Sequence, residues 1–410
     1  MNVQEILSNL NNLPVCQNKE ISYFLSKTQI KSFLDLLFLI TPTQKKILFS
    51  LKNNETYIGI GSSTLGNFYF QIVNFDKSIH TKITPALLIH IKKHKISISK
   101  FNDNFKISLN ELANNNSCNS KIQNIVDNIA INKITREPNF SNFKKQIETY
   151  KNSKLEKIVL SRTCVLPFKE KVNSQDLTIL LFKNFIKKVH YKNNFFAYIE
   201  EEQAFISYTP ESLFDLTGHK ISTEALAGSF PVEQGEQLLT DTKNIQENSI
   251  VSKSITADLK PITKKLIQGK LKLRKLPYIV HLVCKIKGSI NDNISFDDII
   301  NRLHPTPATL GYPKEHAMDF LEKNNKINRQ LFAGTAGFHK EKCTKMIVLL
   351  RSAFITPEKI TVYGGAGIMP QSNPTTEWLE TAQKMTPVFT EICMQKEEQF
   401  NLLIKTACII

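Results

Sequence analysis

No stretch of this 410-residue chain approaches the roughly 18 to 20 uninterrupted apolar residues that a membrane-spanning helix requires. The nearest candidate, Phe33 to Ile40, carries Asp35 and reads as a buried helix. The amino terminus, Met1-Asn2-Val3-Gln4-Glu5, has neither the basic start nor the apolar stretch of a secretory leader. Cys408, third from the end, is one place off the prenylation pattern. Paired cysteines are missing too. Cys16, Cys118, Cys164, Cys284, Cys343, Cys393 and Cys408 are scattered without a C-x-x-C, which argues for reduced thiols and against a disulfide framework or zinc knuckle. These absences predict a soluble, cytoplasmic protein with no membrane partner. Arginine is also scarce: six of 53 basic residues, at positions 136, 162, 274, 302, 329 and 351. The net charge of +16 comes from lysines spread along the whole chain, without a focused patch or tail. No nucleic-acid partner is expected, although such a charge raises the local concentration of an anionic substrate.

What is present changes in texture part-way along. The first 145 residues are rich in Asn, Lys and Ile and carry no chemical motif; Asn114 to Ser117 reads as a solvated loop. An amphipathic helix is expected from Ser141 to Ser153. From Lys157 the β-branched run to Leu166 reads as a strand. Hairpins are predicted over 195–208, 212–226 and 346–363, with helices near 173–190, 241–259, 313–324 and 374–386. Repeated hairpins with intervening helices give an α+β pattern rather than an alternating βα rhythm.

Several charged residues have competing explanations. Glu247 sits at the edge of the apolar stripe Ile250, Val251, Ile255 and Leu259, where a carboxylate is costly unless it meets a lysine or a cation. Glu377, Glu380 and Lys384 share a second helix face, behind a cap at Asn373-Pro374 and a turn at Gly364 to Ile368. That face could be solvated, and the glycines could instead offer backbone N–H groups to an anion. Arg351 interrupts the apolar run Met346 to Ile355, where a carboxylate partner would justify burial. Arg162 could likewise close an internal ion pair. Lys157 shares a strand face with Val159 and Ser161 and is either an exposed edge lysine or a base. Glu211, after Thr209-Pro210, suits a loop reaching into a cleft. His304, in His-Pro-Thr-Pro-Ala308, is a ligand, a polar contact or a structural histidine.

In order and wording these segments resemble the chorismate-utilising enzymes, which include isochorismate, salicylate, anthranilate and aminodeoxychorismate synthases. The matching segments are Lys157 to Arg162, Thr209 to Leu213, Thr223 to Ser229, Lys243 to Glu247, Leu303 to Ala308, Phe332 to Gly334, Arg351 to Ala353 and Gly365 to Lys384. The resemblance implies large antiparallel β-sheets in a layered core flanked by helices. It also implies a variable region at 1–145 packed on that core, a catalytic region at 146–396 and a tail at 397–410. By analogy Lys157 would activate water and Glu211 would protonate the departing hydroxyl. Glu247 and Glu380, with Glu377 adjacent, would hold Mg²⁺ against the ring carboxylate. Arg351, Lys384 and the backbone at Ala366 and Gly367 would hold the carboxylates, and Thr223, Ala225 and His304 would line the ring pocket.

Two positions select within the family. Amine-forming relatives tend to carry glutamine where Lys157 stands, and aminodeoxychorismate synthases often have a lysine where Ala227 stands. The resemblance therefore implies isochorismate formation for menaquinone or siderophore synthesis, with salicylate synthesis as the alternative. No glutamine amidotransferase subunit is implied, and the protein is expected as a monomer or weak homodimer. The wording departs from the family at Asn248 and within Phe332 to Phe338.

Overall fold

The computed structural model describes all residues except 1–2, 14–19, 40, 42–43, 54, 66–67, 103–104, 106–124, 188–192, 277–278, 394–395 and 410. The expected loop at 114–117 and two cysteines, Cys16 and Cys118, lie outside the described residues. The five described cysteines are free thiols.

Helices α1 (Val3–Ser8) and α2 (Lys27–Leu39) flank strand β1 (Ile21–Phe24). Strands β2 (Lys46–Ser50), β3 (Glu55–Ile60), β4 (Phe68–Val73), β5 (His80–Ile83), β6 (Leu87–Lys92), β7 (Lys95–Lys100) and β8 (Thr135–Glu137) follow, then α3 (Phe140–Lys151). The next elements are β9 (Lys157–Pro167), α4 (Ser174–Lys187), β10 (Asn194–Glu200), β11 (Gln203–Thr209), β12 (Ser212–Thr217) and β13 (Lys220–Phe230). Beyond them come α5 (Thr242–Leu259), β14 (Thr263–Lys275), β15 (Val280–Ile290), α6 (Phe296–Leu303), β16 (Gly311–Tyr312) and α7 (Lys314–Asn324). The chain continues through β17 (Thr335–Lys340), β18 (Cys343–Val348), β19 (Ser352–Ile355), β20 (Lys359–Ile368), α8 (Pro374–Cys393) and α9 (Glu397–Cys408).

The strands build two antiparallel sheets. One has 12 strands in the order β1-β7-β6-β3-β2-β10-β11-β19-β20-β9-β16, with β8 beside β9; the other has eight, in the order β14-β15-β13-β12-β18-β17-β4-β5. Side chains alternate between faces along each strand. Phe196 of β10 enters the layer between the sheets with Phe49, Tyr57, Phe70 and Phe338, while Phe195 turns outward to α2 and α4. Rings from the two sheets meet there edge-on, Phe49 against Phe338 at 5.6 Å. Val251 and Ile255 of α5 and Ile299 and Leu303 of α6 cover the outer face of the smaller sheet. The layered α+β core implied by the resemblance is present.

Several sequence expectations change. Residues 1–145 are not a unit laid on a core, because β2 pairs with β10 and β4 with β17, so both sheets run through the expected boundary. The run Met346 to Ile355 is two strands. β18 lies in the smaller sheet, β19 in the larger, and Arg351 makes the crossing with φ 50. Gly364 to Ile368 is strand, not turn, pairing along β9. The expected tail is α9, held by Arg162. That side chain meets no carboxylate: it donates to Thr381 Oγ1, Trp378 O (3.2 Å) and Ala407 O (3.0 Å) and lies 3.7 Å over the Trp378 ring. Arg162 thereby fixes α8 against β9. Among the described residues, no helix is long and apolar enough to cross a membrane.

Candidate active site

A cavity opens where β9 and β20 pass α5, α8 and the crossings between the sheets. Its floor follows from strand register. Val159 pairs with Gly367 and Ser161 with Gly365, so two glycines lie beside the face that carries Val159 and Ser161. A Cβ at Gly367 would collide with the Glu247 carboxylate and approach Lys157 Cε to 3.0 Å, so only glycine leaves this space. Ser161 Oγ faces the cavity, buried and without a partner.

Lys157, on that same strand face, is 0% exposed, which removes the edge-lysine explanation. Its Nζ lies 2.9 Å from Glu247 Oε1, at ion-pair distance but without the alignment of a hydrogen bond. Glu211 lies between β11 and β12, buried, its N–H donating to Thr209 Oγ1 (3.1 Å) and its carbonyl accepting from Val348 N–H (3.1 Å). Burial, followed by the nearby Glu224 charge, raises its pKa to about 8 against the pull of Lys157, Arg274 and Lys384.

Glu247 projects from α5, whose start is capped by Asp241 accepting from Asn244 N–H at 2.8 Å. Asn248, one of the departures from family wording, reaches the carbonyls of Ala225, Ala227 and Leu282 at 3.0–3.2 Å and ties the helix to β13 and β15. Asn373 caps α8, accepting from Thr375 and Thr376 N–H as its sequence suggested. The Glu380–Lys384 face is half-buried and turned to the cavity instead of open solvent. The pair is at 2.7 Å against the cavity, with Ser229 Oγ 3.1 Å from Glu380. Burial opposes Glu380 ionisation, but Lys384 prevails and holds its pKa below the usual value. Glu377 is 0% exposed and pairs with Lys243 at 2.5 Å. Burial, then the Glu380 charge, raises its pKa to about 7. Arg351 meets no carboxylate: it donates to His281 Nε2 at 3.0 Å, which makes the histidine an acceptor. Burial, then the charge of Arg351, keeps His281 neutral, far below its ordinary pKa.

Three expected ring-pocket residues, Thr223, Ala225 and His304, make contacts elsewhere. Thr223 Oγ1 donates to Leu213 O at 2.6 Å, inside the sheet. Ala225 packs in the core under α5. The Ala366 side chain falls on the alternate face of β20 from Gly365 and Gly367 and packs with Leu160, which leaves the expectation for its backbone untouched. His304 donates its Nε2–H to Asn74 O at 2.9 Å, and burial lowers its pKa to about 4, so it acts as a neutral structural link. His281, by contrast, was missed; its signal was a lone polar side chain within the apolar run Ile279 to Val283.

The donor set suits a hard divalent cation. Glu247 and Glu377 are buried and Glu380 half-buried beside this region, and Glu377 Oε2 is buried with no partner. Among the described residues no three His, Cys, Asp or Glu side chains close into a cage. Magnesium is commonly held by one or two carboxylates and completed by substrate and water.

The pocket brings Arg351 and Lys384 together with the carboxylates of Glu247 and Glu380 and the protonated Glu211, a lining whose cations suit a small anion. The profile of the chorismate binding enzyme family matches residues 62–393, and the chain belongs to that family. It is 30% identical over 255 residues to isochorismate synthase MenF of Haemophilus influenzae, covering 60% of this chain and 58% of that protein. The chain thus spans little more than half of that relative's length. The structure of the menaquinone-specific isochorismate synthase MenF of Escherichia coli superposes with a TM-score of 0.79 at 21% identity, covering 95% of this chain and 99% of the other. Anthranilate synthase component I of Streptococcus pneumoniae superposes with a TM-score of 0.63 at 16% identity, covering 91% and 92%. These likenesses agree with the fold.

Proposed function

We propose that this protein is an isochorismate synthase that converts chorismate to isochorismate with Mg²⁺ bound. The observation that carries the reading is Glu211, a buried carboxyl group in the cavity whose raised pKa keeps it protonated near neutral pH. Chorismate has two carboxylates and a hydroxyl at C4, and the isomerisation adds water at C2 as that hydroxyl leaves. Glu211 donates the proton that turns the leaving oxygen into water. In its neutral, deprotonated form Lys157 accepts the proton from the attacking water while Glu211 gives one up, so the site holds one proton before and after the step. Arg351 and Lys384 bind the carboxylates, and neutral His281 holds the Arg351 guanidinium in place. Glu247 and Glu380 are the residues to hold Mg²⁺, with Glu377 beside them. When bound, the cation neutralises and anchors the ring carboxylate.

Isochorismate synthases among the relatives support water as the nucleophile, as does Lys157, buried in the site. In this reading the protein is a stand-alone cytoplasmic enzyme that needs no amidotransferase. Incubating the purified protein with chorismate and Mg²⁺ and separating the products tests it. Isochorismate is expected; salicylate with pyruvate would assign the alternative, and anthranilate formed only with ammonia would remove Lys157 as base.

A further inference from the structure

We propose that Glu224 and Arg274 form a clamp that positions Glu211 in the cavity. The link from β11 to β12 crosses from the larger sheet to the smaller, so Glu211 sits between the two ladders, its backbone tied to Thr209 Oγ1 and Val348 N–H. The pairing of β12 with β18 is irregular between Ser212 and Phe214. Glu224 of β13 and Arg274 of β14 supply what the ladders do not. Their side chains are joined by two parallel bonds of 2.6 Å, a bidentate fork with fixed relative geometry. Arg274 Nη1 also donates to Pro210 O at 3.2 Å. The Ser212 backbone N–H donates to the Glu224 carboxylate. One ion pair therefore grips the residue before Glu211 and the residue after it. Neither side chain is among the described residues lining the cavity, so both act through Glu211.

The charges of the clamp reach the same group. Those acting on Glu211 are Glu224 from β13, Arg274 from β14, Lys157 from β9 and Lys384 from α8, and Arg351 at the crossing responds to it. Beyond burial, Glu224 favours the protonated form, whereas Arg274, Lys157 and Lys384 favour the ionised one. Neutralising each half of the clamp must then move the Glu211 titration in opposite directions.

The clamp rests on the reading of Glu211 as the acid, and one experiment separates the two. Full-length wild type, Glu224→Gln, Arg274→Met, Arg274→Lys and Glu211→Gln are compared for kcat and KM with chorismate across pH, isochorismate being quantified by chromatography, together with Tm. Glu224→Gln and Arg274→Met should lose about 10- to 100-fold in kcat through displacement of the acid. KM should stay within about threefold of wild type, because binding groups are untouched. Arg274→Lys should recover part of the loss. The alkaline limb of kcat should move to lower pH in Glu224→Gln and to higher pH in Arg274→Met. If Arg274→Met does not fold, the limb shift in Glu224→Gln and the kcat of Arg274→Lys decide. A limb unmoved in Glu224→Gln and Arg274→Met overturns the clamp, whether kcat is intact or falls with Tm, since the pair would then be a structural ion pair. Wild-type turnover in Glu211→Gln, or no isochorismate from wild type, removes the acid assignment itself and the clamp with it.

Discussion

Replacing Glu211 by glutamine should stop turnover and at the same time stabilise the protein at alkaline pH. The side chain is buried, and burial with the Glu224 charge raises its pKa from the ordinary 4.5 to about 8. Below pH 4.5 the acid is protonated in both the folded and the unfolded chain. Between 4.5 and about 8 only the folded chain keeps the proton, so folding stability declines as pH rises through this window and levels off above it. Each pH unit corresponds to about 1.4 kcal/mol, and across the window the loss is on the order of 5 kcal/mol. Glutamine does not titrate. Urea unfolding of the two proteins at pH 5.5, 6.5 and 7.5 should therefore show the variant gaining on wild type by about 1.4 kcal/mol per unit. The other ionisable groups are common to both and cancel in the difference. In parallel, wild-type kcat should fall about tenfold per unit above pH 8, with the variant lacking turnover throughout. A stability difference that stays flat with pH would refute the buried protonated acid, and with it the proton donor of the proposed reaction.

Three further outcomes follow from the geometry. Lys157→Ala should lose at least about 100-fold in kcat while chorismate binding, followed by calorimetry, persists; near-normal turnover would mean another base. Gly367→Ala should cost about 100-fold in kcat/KM, because the added Cβ meets Glu247 and Lys157, with little change in Tm. Glu377→Gln should weaken Mg²⁺ binding about 10-fold, read by calorimetry with the metal and by the Mg²⁺ dependence of the rate, and chelation should abolish activity in both proteins. An unchanged metal requirement would place Glu377 outside the cation site.

Local pattern was enough to place α5 and α8. The apolar stripe of Ile250, Val251, Ile255 and Leu259, the cap at Asn373 and the helix-compatible Pro374 are near-neighbour features that a sequence displays directly. The hairpin of β10 and β11 was equally visible. Glycine-rich β20 was misjudged, because glycine in sequence signals a turn. Its use here is to leave room beside Glu247, a neighbour far away in the chain.

The sequence by itself determined the helix and hairpin repertoire, the α+β class and, through the order of its segments, the kind of chemistry to look for. The tertiary structure alone decided which side of each strand faces the cavity. A one-residue alternation put Gly365 and Gly367 on the cavity and Ala366 in the core, and long-range contacts assigned Thr223, Ala225 and His304 to structural bonds and packing. It alone decided protonation as well. Glu211, Glu377 and Glu380 are the same residue type in sequence, yet their pKa values move to about 8, to about 7 and downward. Desolvation and the distance to a charge set those values, and both depend on what the fold brings near.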